Sequence, residues 1–139
     1  MRLDIPDALR RDVASRANHR CEYCLFPEQY ATFRHQIDHI IGVQHGGQSI
    51  LENLAYACIH CNRFKGPNIA ALADGGQVSP LFNPRRANWS EHFRLEGAVV
   101  QPLTAIGEAT VRLLRINDIL RVQKRLVLQQ AGIYPRSFG

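Results

Sequence analysis

Two short cysteine pairs constrain this chain more than any other feature. They are Cys21-Glu22-Tyr23-Cys24 and Cys58-Ile59-His60-Cys61, with 33 residues between Cys24 and Cys58. Two residues between cysteines permit a tight knuckle that aims both sulfurs at one point, and two knuckles complete the tetrahedron that Zn2+ prefers. A lone pair would leave a redox dithiol open, but two pairs argue against one, and a reducing compartment argues against disulfides. A zinc site filled by four cysteines is closed, with no position left for a substrate. It is expected to hold structure, tying the N-terminal segment to the segment near residue 60.

A chain of 139 residues suits one domain with its own core. No apolar run approaches the length needed to cross a membrane. The N-terminus, "MRLDIPDALRRDV", carries acids and arginines where a secretory signal would need an apolar stretch, so the expected location is intracellular, in the cytoplasm. The formal charge of +5 and a pI of about 9.4 favour a polyanionic partner. Subtracting four for the thiolates and adding two for one Zn2+ leaves +3, which still suits nucleic acid.

Between and just after the pairs come polar residues with no obvious packing use. They are Asp38 and His39, the turn "QHGG" at 44–47, Asn53 in "LENLAY" and Asn62 in "CNRFKG". In order and at these spacings, "IDHIIGVQHGG…NLAYACIHCNRFKG" closely resembles the HNH endonuclease motif in its four-cysteine zinc version. The likeness runs from Cys21 to Gly66, about a third of the chain. It implies an α+β protein with a ββα-metal core over about 19–67, stapled by the zinc site. An N-terminal helix and a strand and helix extension over about 68–139 would complete a single domain. A strand through Thr32–Ile37 would deliver Asp38 and His39. A loop with Gly46-Gly47 would follow, then a second strand near Leu54–Ala57 and a short helix after Cys58 that carries Asn62. Local signals agree: strand formers alternate loosely in "TFRHQI", and Gly66-Pro67 ends the helix.

The resemblance also implies roles. His39 matches the general base, a task that suits imidazole because it titrates near neutral pH. Asp38 matches a metal-binding carboxylate and Asn62 a second metal-binding position. Asn53 matches the residue that fixes the orientation of His39. An oxygen donor set of this kind fits Mg2+, with Mn2+ able to substitute. The substrate implied is DNA, with RNA left open. An Asp-His pair standing alone would as readily be a structural hydrogen bond; Asn53, Asn62 and the knuckles in register favour the active site.

Other residues carry weaker signals. His45, His60, Arg63 and Lys65 are candidate nucleic-acid contacts, each with solvation as the plain alternative. His35, four residues before His39 and so on the same strand face, reads as a surface imidazole, with a further metal or phosphate contact as the alternative. The stretch "IPDALRRDVASRANHR" reads as a helix with Ile5, Leu9, Val13 and Ala17 on one stripe. "HFRLEGAVVQPL" reads as two strands about Glu96-Gly97, and Trp89 as a core residue. Two helices are expected over 104–116 and 118–131, divided by Asn117-Asp118. In them Leu113, Leu114, Leu120, Val127 and Leu128 should pack, leaving Arg112, Arg115, Arg121, Lys124 and Arg125 outside. Those cations could meet a DNA backbone, although a solvated face is the commoner outcome.

The expected function is a metal-dependent, zinc-stabilised endonuclease that hydrolyses phosphodiester bonds in DNA. The alternative is a zinc-knuckle nucleic-acid-binding module without catalysis, which would have no need of Asp38, His39 and Asn62 together. A third reading places the nuclease in a system where it needs a partner to cut.

Overall fold

The computed structural model describes residues 5–135. The chain divides into two compact units, Met1–Ile69 and Ala70–Gly139. The described residues form five α-helices and six short strands in three two-stranded sheets.

In the first unit, helix α1 spans Asp7–Arg16 and enters directly from Pro6. The fixed φ of proline suits a helix start, and Asp7 complements the positive end of the helix dipole. Val13 and Ala14 bury against Leu54 and Tyr56, with Ile5, Leu9 and Ala17 packed around them, as the four-residue spacing predicts. From the last turn Arg16 donates to the carbonyls of Leu51 and Leu54, which anchors the helix to the second strand.

Strands β1 (Gln36–His39) and β2 (Leu54–Ala57) pair antiparallel, with Asp38 opposite Ala55 and His39 opposite Leu54. Every residue of β2 is buried. Helix α2 (Ile59–Lys65) follows at once and stops at Gly66, whose φ of 52° lies in the left-handed region that glycine tolerates. The expectation of a strand over Thr32–Ile37 is corrected, because β1 begins only at Gln36. The reason is Glu28. Its Oε2 accepts from the His35 amide at 2.8 Å and from the Tyr56 hydroxyl at 2.6 Å, so the residue just before β1 bonds to a side chain instead of a neighbouring strand. Burial raises the Glu28 carboxyl, but the Tyr56 hydroxyl, the His35 amide and His19 outweigh it and hold the group below its ordinary range. His35 is buried too, with Nε2 2.8 Å from the Phe26 carbonyl, so it is no surface imidazole.

In the second unit, β3 (Ala70–Leu72) pairs with β4 (Val78–Pro80), and β5 (Phe93–Glu96) with β6 (Val99–Pro102). The second hairpin lies where the sequence predicts it, turning at Gly97. The short helix α3 (Trp89–His92) opens with a capping box between Asn88 and Glu91. Trp89 stacks obliquely on Phe93, ring centres 5.1 Å apart, and is a core residue.

Helices α4 (Ala105–Leu113) and α5 (Ile119–Gln130) form near the expected positions, but the face of α5 is misjudged. Leu114 and Leu128 are buried as expected, whereas Leu120 is 68 % and Val127 62 % exposed. Arg121 and Arg125 are 8 % and 1 % exposed. The chain leaves α4 through Arg115 at a φ of 52°, which strands the carbonyls at the helix end. Arg121 donates to Leu114 O and Arg115 O at 2.6 and 2.9 Å. Arg125 reaches Ile116 O at 2.9 Å, Ala98 O at 2.8 Å and Asn117 Oδ1 at 3.0 Å. The stranded oxygens bring these two cations inward, so neither stands on an outer face. Among the described residues no helix is long and apolar enough to cross a membrane.

Candidate metal centre and active site

The first knuckle turns tightly after α1. Asn18, His19 and Leu25 adopt positive φ, and the Cys24 amide points at Cys21 Sγ, 3.4 Å away. The second knuckle repeats the device: Cys58 caps α2 and its sulfur accepts from the Cys61 amide, also at 3.4 Å. The first knuckle is stitched to β2 by Glu22, which donates its amide to Tyr56 O at 2.8 Å and accepts the Tyr56 amide at Oε2 at 2.7 Å. None of the four buried cysteines forms a disulfide among the described residues, and their sulfurs lie within 4.8 Å of one another. Burial pushes the Cys21 and Cys61 thiols well above their ordinary range. A cation among the sulfurs offsets that cost by favouring thiolate. A buried donor set of four cysteine sulfurs fits Zn2+.

Asp38 lies in the middle of this framework. It is 3 % exposed, and each carboxylate oxygen has one partner. Oδ2 accepts from the Tyr23 hydroxyl at 2.7 Å and Oδ1 from Lys65 Nζ at 3.2 Å. The same ammonium donates to the carbonyls of His39 and Ile40, both at 3.2 Å. Burial raises the Asp38 carboxyl above its ordinary value, against the pull of Lys65 and Tyr23. Lys65 is thus an internal ion-pair partner, 1 % exposed, where the sequence suggests a phosphate contact.

His39 follows on the other face of β1, since side chains alternate along a strand. Its Nε2 lies 2.8 Å from Ser49 Oγ, and Nδ1 makes no hydrogen bond among the described residues. Ser49 gives no sequence signal, as a serine in a polar loop is commonplace. Among the described residues Asn53 makes no hydrogen bond to the His39 ring. Its side chain bonds both the N–H and the C=O of Ile41, at 2.9 and 3.0 Å, and the Gln48 carbonyl at 2.9 Å. Its own carbonyl accepts from the Ile40 amide at 2.9 Å. It therefore closes the loop that carries Ser49 back to His39.

Gly47 sits where that loop is tightest. A Cβ there would lie 1.7 Å from the Ile41 carbonyl oxygen and 2.8 Å from Asn53 Nδ2. Gly47→Ala is expected to cost about 1–3 kcal/mol through overpacking, read by denaturant unfolding. A stability within a few tenths of wild type would mean the loop yields freely.

Asn62 donates through Nδ2 to Gln36 Oε1, and among the described residues its Oδ1 accepts no hydrogen bond. Gln36 and Asp38 share one face of β1, and Asn62 and Lys65 lie three apart on α2. The two pairs of contacts therefore set one row against the other. A carboxylate and an amide oxygen are hard donors of the kind that Mg2+ or Mn2+ takes. His45, His60 and Arg63 are exposed, with His60 and Arg63 three residues apart on α2.

No curated protein and no solved structure matches the chain at a significant level. The family comparison does find a match, and it speaks for a nuclease-type function on nucleic acid. The segment from residue 21 to 68, with both knuckles, β1, β2 and α2 inside it, matches the model of the HNH endonuclease family, and its four cysteines are placed to form a metal site.

Proposed function

We propose that the chain is an endonuclease hydrolysing phosphodiester bonds in DNA, built on a ββα-metal core of β1, β2 and α2. The observation that carries this reading is His39, whose ring has one nitrogen on Ser49 and the other without a hydrogen bond among the described residues. A proton on Nε2 donated to Ser49 Oγ leaves the Nδ1 lone pair free to take a proton from an attacking water. Asn53 keeps the Ser49 loop in register, so its effect on His39 passes through the backbone. Asp38 and Asn62 would hold the divalent cation. When bound, Mg2+ or Mn2+ would neutralise charge that builds on the scissile phosphate and leaving oxygen. His45, His60 and Arg63 stand exposed to receive the substrate backbone.

A second reading, a zinc-knuckle binding module without catalysis, draws on the deep burial of Asp38 and on the hydrogen bond that each of its oxygens already accepts. One assay separates them. Supercoiled plasmid is incubated with wild type or His39→Ala in Mg2+, Mn2+ or EDTA, with zinc content measured for both. The expected result is cutting that needs added metal and falls at least about 100-fold in the variant, the usual scale for a lost general base. Plasmid bound but uncut by zinc-loaded wild type would favour the binding module.

A further inference from the structure

We infer that Tyr23, from the first zinc knuckle, and Lys65, from the end of the helix that the second knuckle starts, are positioning residues that together clamp the Asp38 carboxylate for its cation. The inference rests on the proposed function, in which Asp38 is a cation ligand. Tyr23 lies between the two cysteines of the first knuckle, is fully buried, and donates to Asp38 Oδ2. Lys65 ends the helix that Cys58 caps and Cys61 anchors, and it donates to Asp38 Oδ1. One oxygen is therefore fixed from the first knuckle and the other from the far end of α2. An ammonium has three donors, and the other two go to the His39 and Ile40 carbonyls at the end of β1. A carboxylate oxygen holding one hydrogen bond keeps a second acceptor site. The clamp thus sets the direction of the carboxylate without using up its capacity.

Tyr23→Phe removes that hydroxyl and little else. The test uses the full zinc-loaded chain and Mn2+ as the probe, its binding followed by electron paramagnetic resonance, with plasmid cleavage beside it. The variant is expected to keep one zinc per chain and to bind Mn2+ about tenfold more weakly, the scale of one charge-assisted hydrogen bond. Its cleavage should need more Mn2+ and recover toward the wild-type rate at saturation. On an Asp38→Asn background Tyr23→Phe should weaken Mn2+ no further. Unchanged Mn2+ affinity in Tyr23→Phe, an additive loss in the double variant, or no Mn2+ binding by wild type would each overturn the clamp. If wild type binds Mn2+ and Tyr23→Phe weakens it while plasmid stays uncut, the clamp stands and the nuclease reading alone falls.

Discussion

Stripping the metal from the four cysteines is expected to unfold the first unit. Four buried sulfurs within 4.8 Å of one another make poor neighbours without a cation, since each thiol then sits in an apolar site with only weak hydrogen bonds to offset it. Zn2+ bound to such knuckles contributes roughly 10–16 kcal/mol at neutral pH, as large as the whole stability of a typical domain. The knuckles also hold Glu22 on β2 and start α2, so the hairpin and helix lose their mutual anchor when the sulfurs separate. A strong chelator, or Cys61→Ser, should abolish amide-exchange protection in β1 and β2 and lower the far-ultraviolet circular dichroism. Protection in β1 and β2 that survives complete zinc removal would show that the hydrophobic contact of α1 with β2 suffices.

The second large effect is expected at Lys65. Lys65→Met leaves Asp38 buried without its cation, and breaking a buried pair from one side costs about 3–5 kcal/mol. Burial already raises the Asp38 carboxyl, and Lys65 is the main pull in the other direction. Without Lys65 the folded carboxyl rises further above its unfolded value. A carboxyl raised in this way costs no stability while it is protonated both folded and unfolded, and the cost grows as pH climbs through the gap between those two values. The deficit of Lys65→Met should therefore be largest at neutral pH and shrink toward acid pH. Asp38→Asn added to it should recover much of the loss. Urea unfolding at several pH values measures all three, and a deficit under about 1 kcal/mol at neutral pH would mean that water or a rearranged side chain replaces the ammonium.

Local rules sufficed where a residue's own chemistry fixes its place. The knuckles were legible because cysteine spacing leaves few geometries, and the α1 stripe because Ile5, Leu9, Val13 and Ala17 repeat every four residues. The strand at Leu54–Ala57 and the turn at Gly97 were legible for similar reasons. The rest depended on partners far away in the chain. Nothing near Thr32 announces that Glu28 will take the His35 amide from a strand ladder. Nothing in "NRFKG" separates a lysine that solvates a helix from one that turns inward to Asp38, 27 residues away in sequence. In α5 the charged and apolar residues alternate in a way that suggests an ordinary amphipathic helix, but the demand of stranded carbonyls outweighs the hydrophobic pattern. His39 was legible as a candidate base, while Ser49, which completes its surroundings, was not.

The inward cations change what the net charge means for a polyanion. Lys65, Arg121 and Arg125 are three of the seventeen lysines and arginines, and all are shielded from direct contact. Their charge still adds to the distant field that draws an anionic strand inward. It displaces no condensed counterions, because only side chains that touch phosphate do so, at roughly 0.9 ions per contact on duplex DNA. Attraction at long range and grip at short range are thus uncoupled in this chain. Its electrostatic reach is set by the whole sequence, and its salt sensitivity by the smaller set of cations left at the surface.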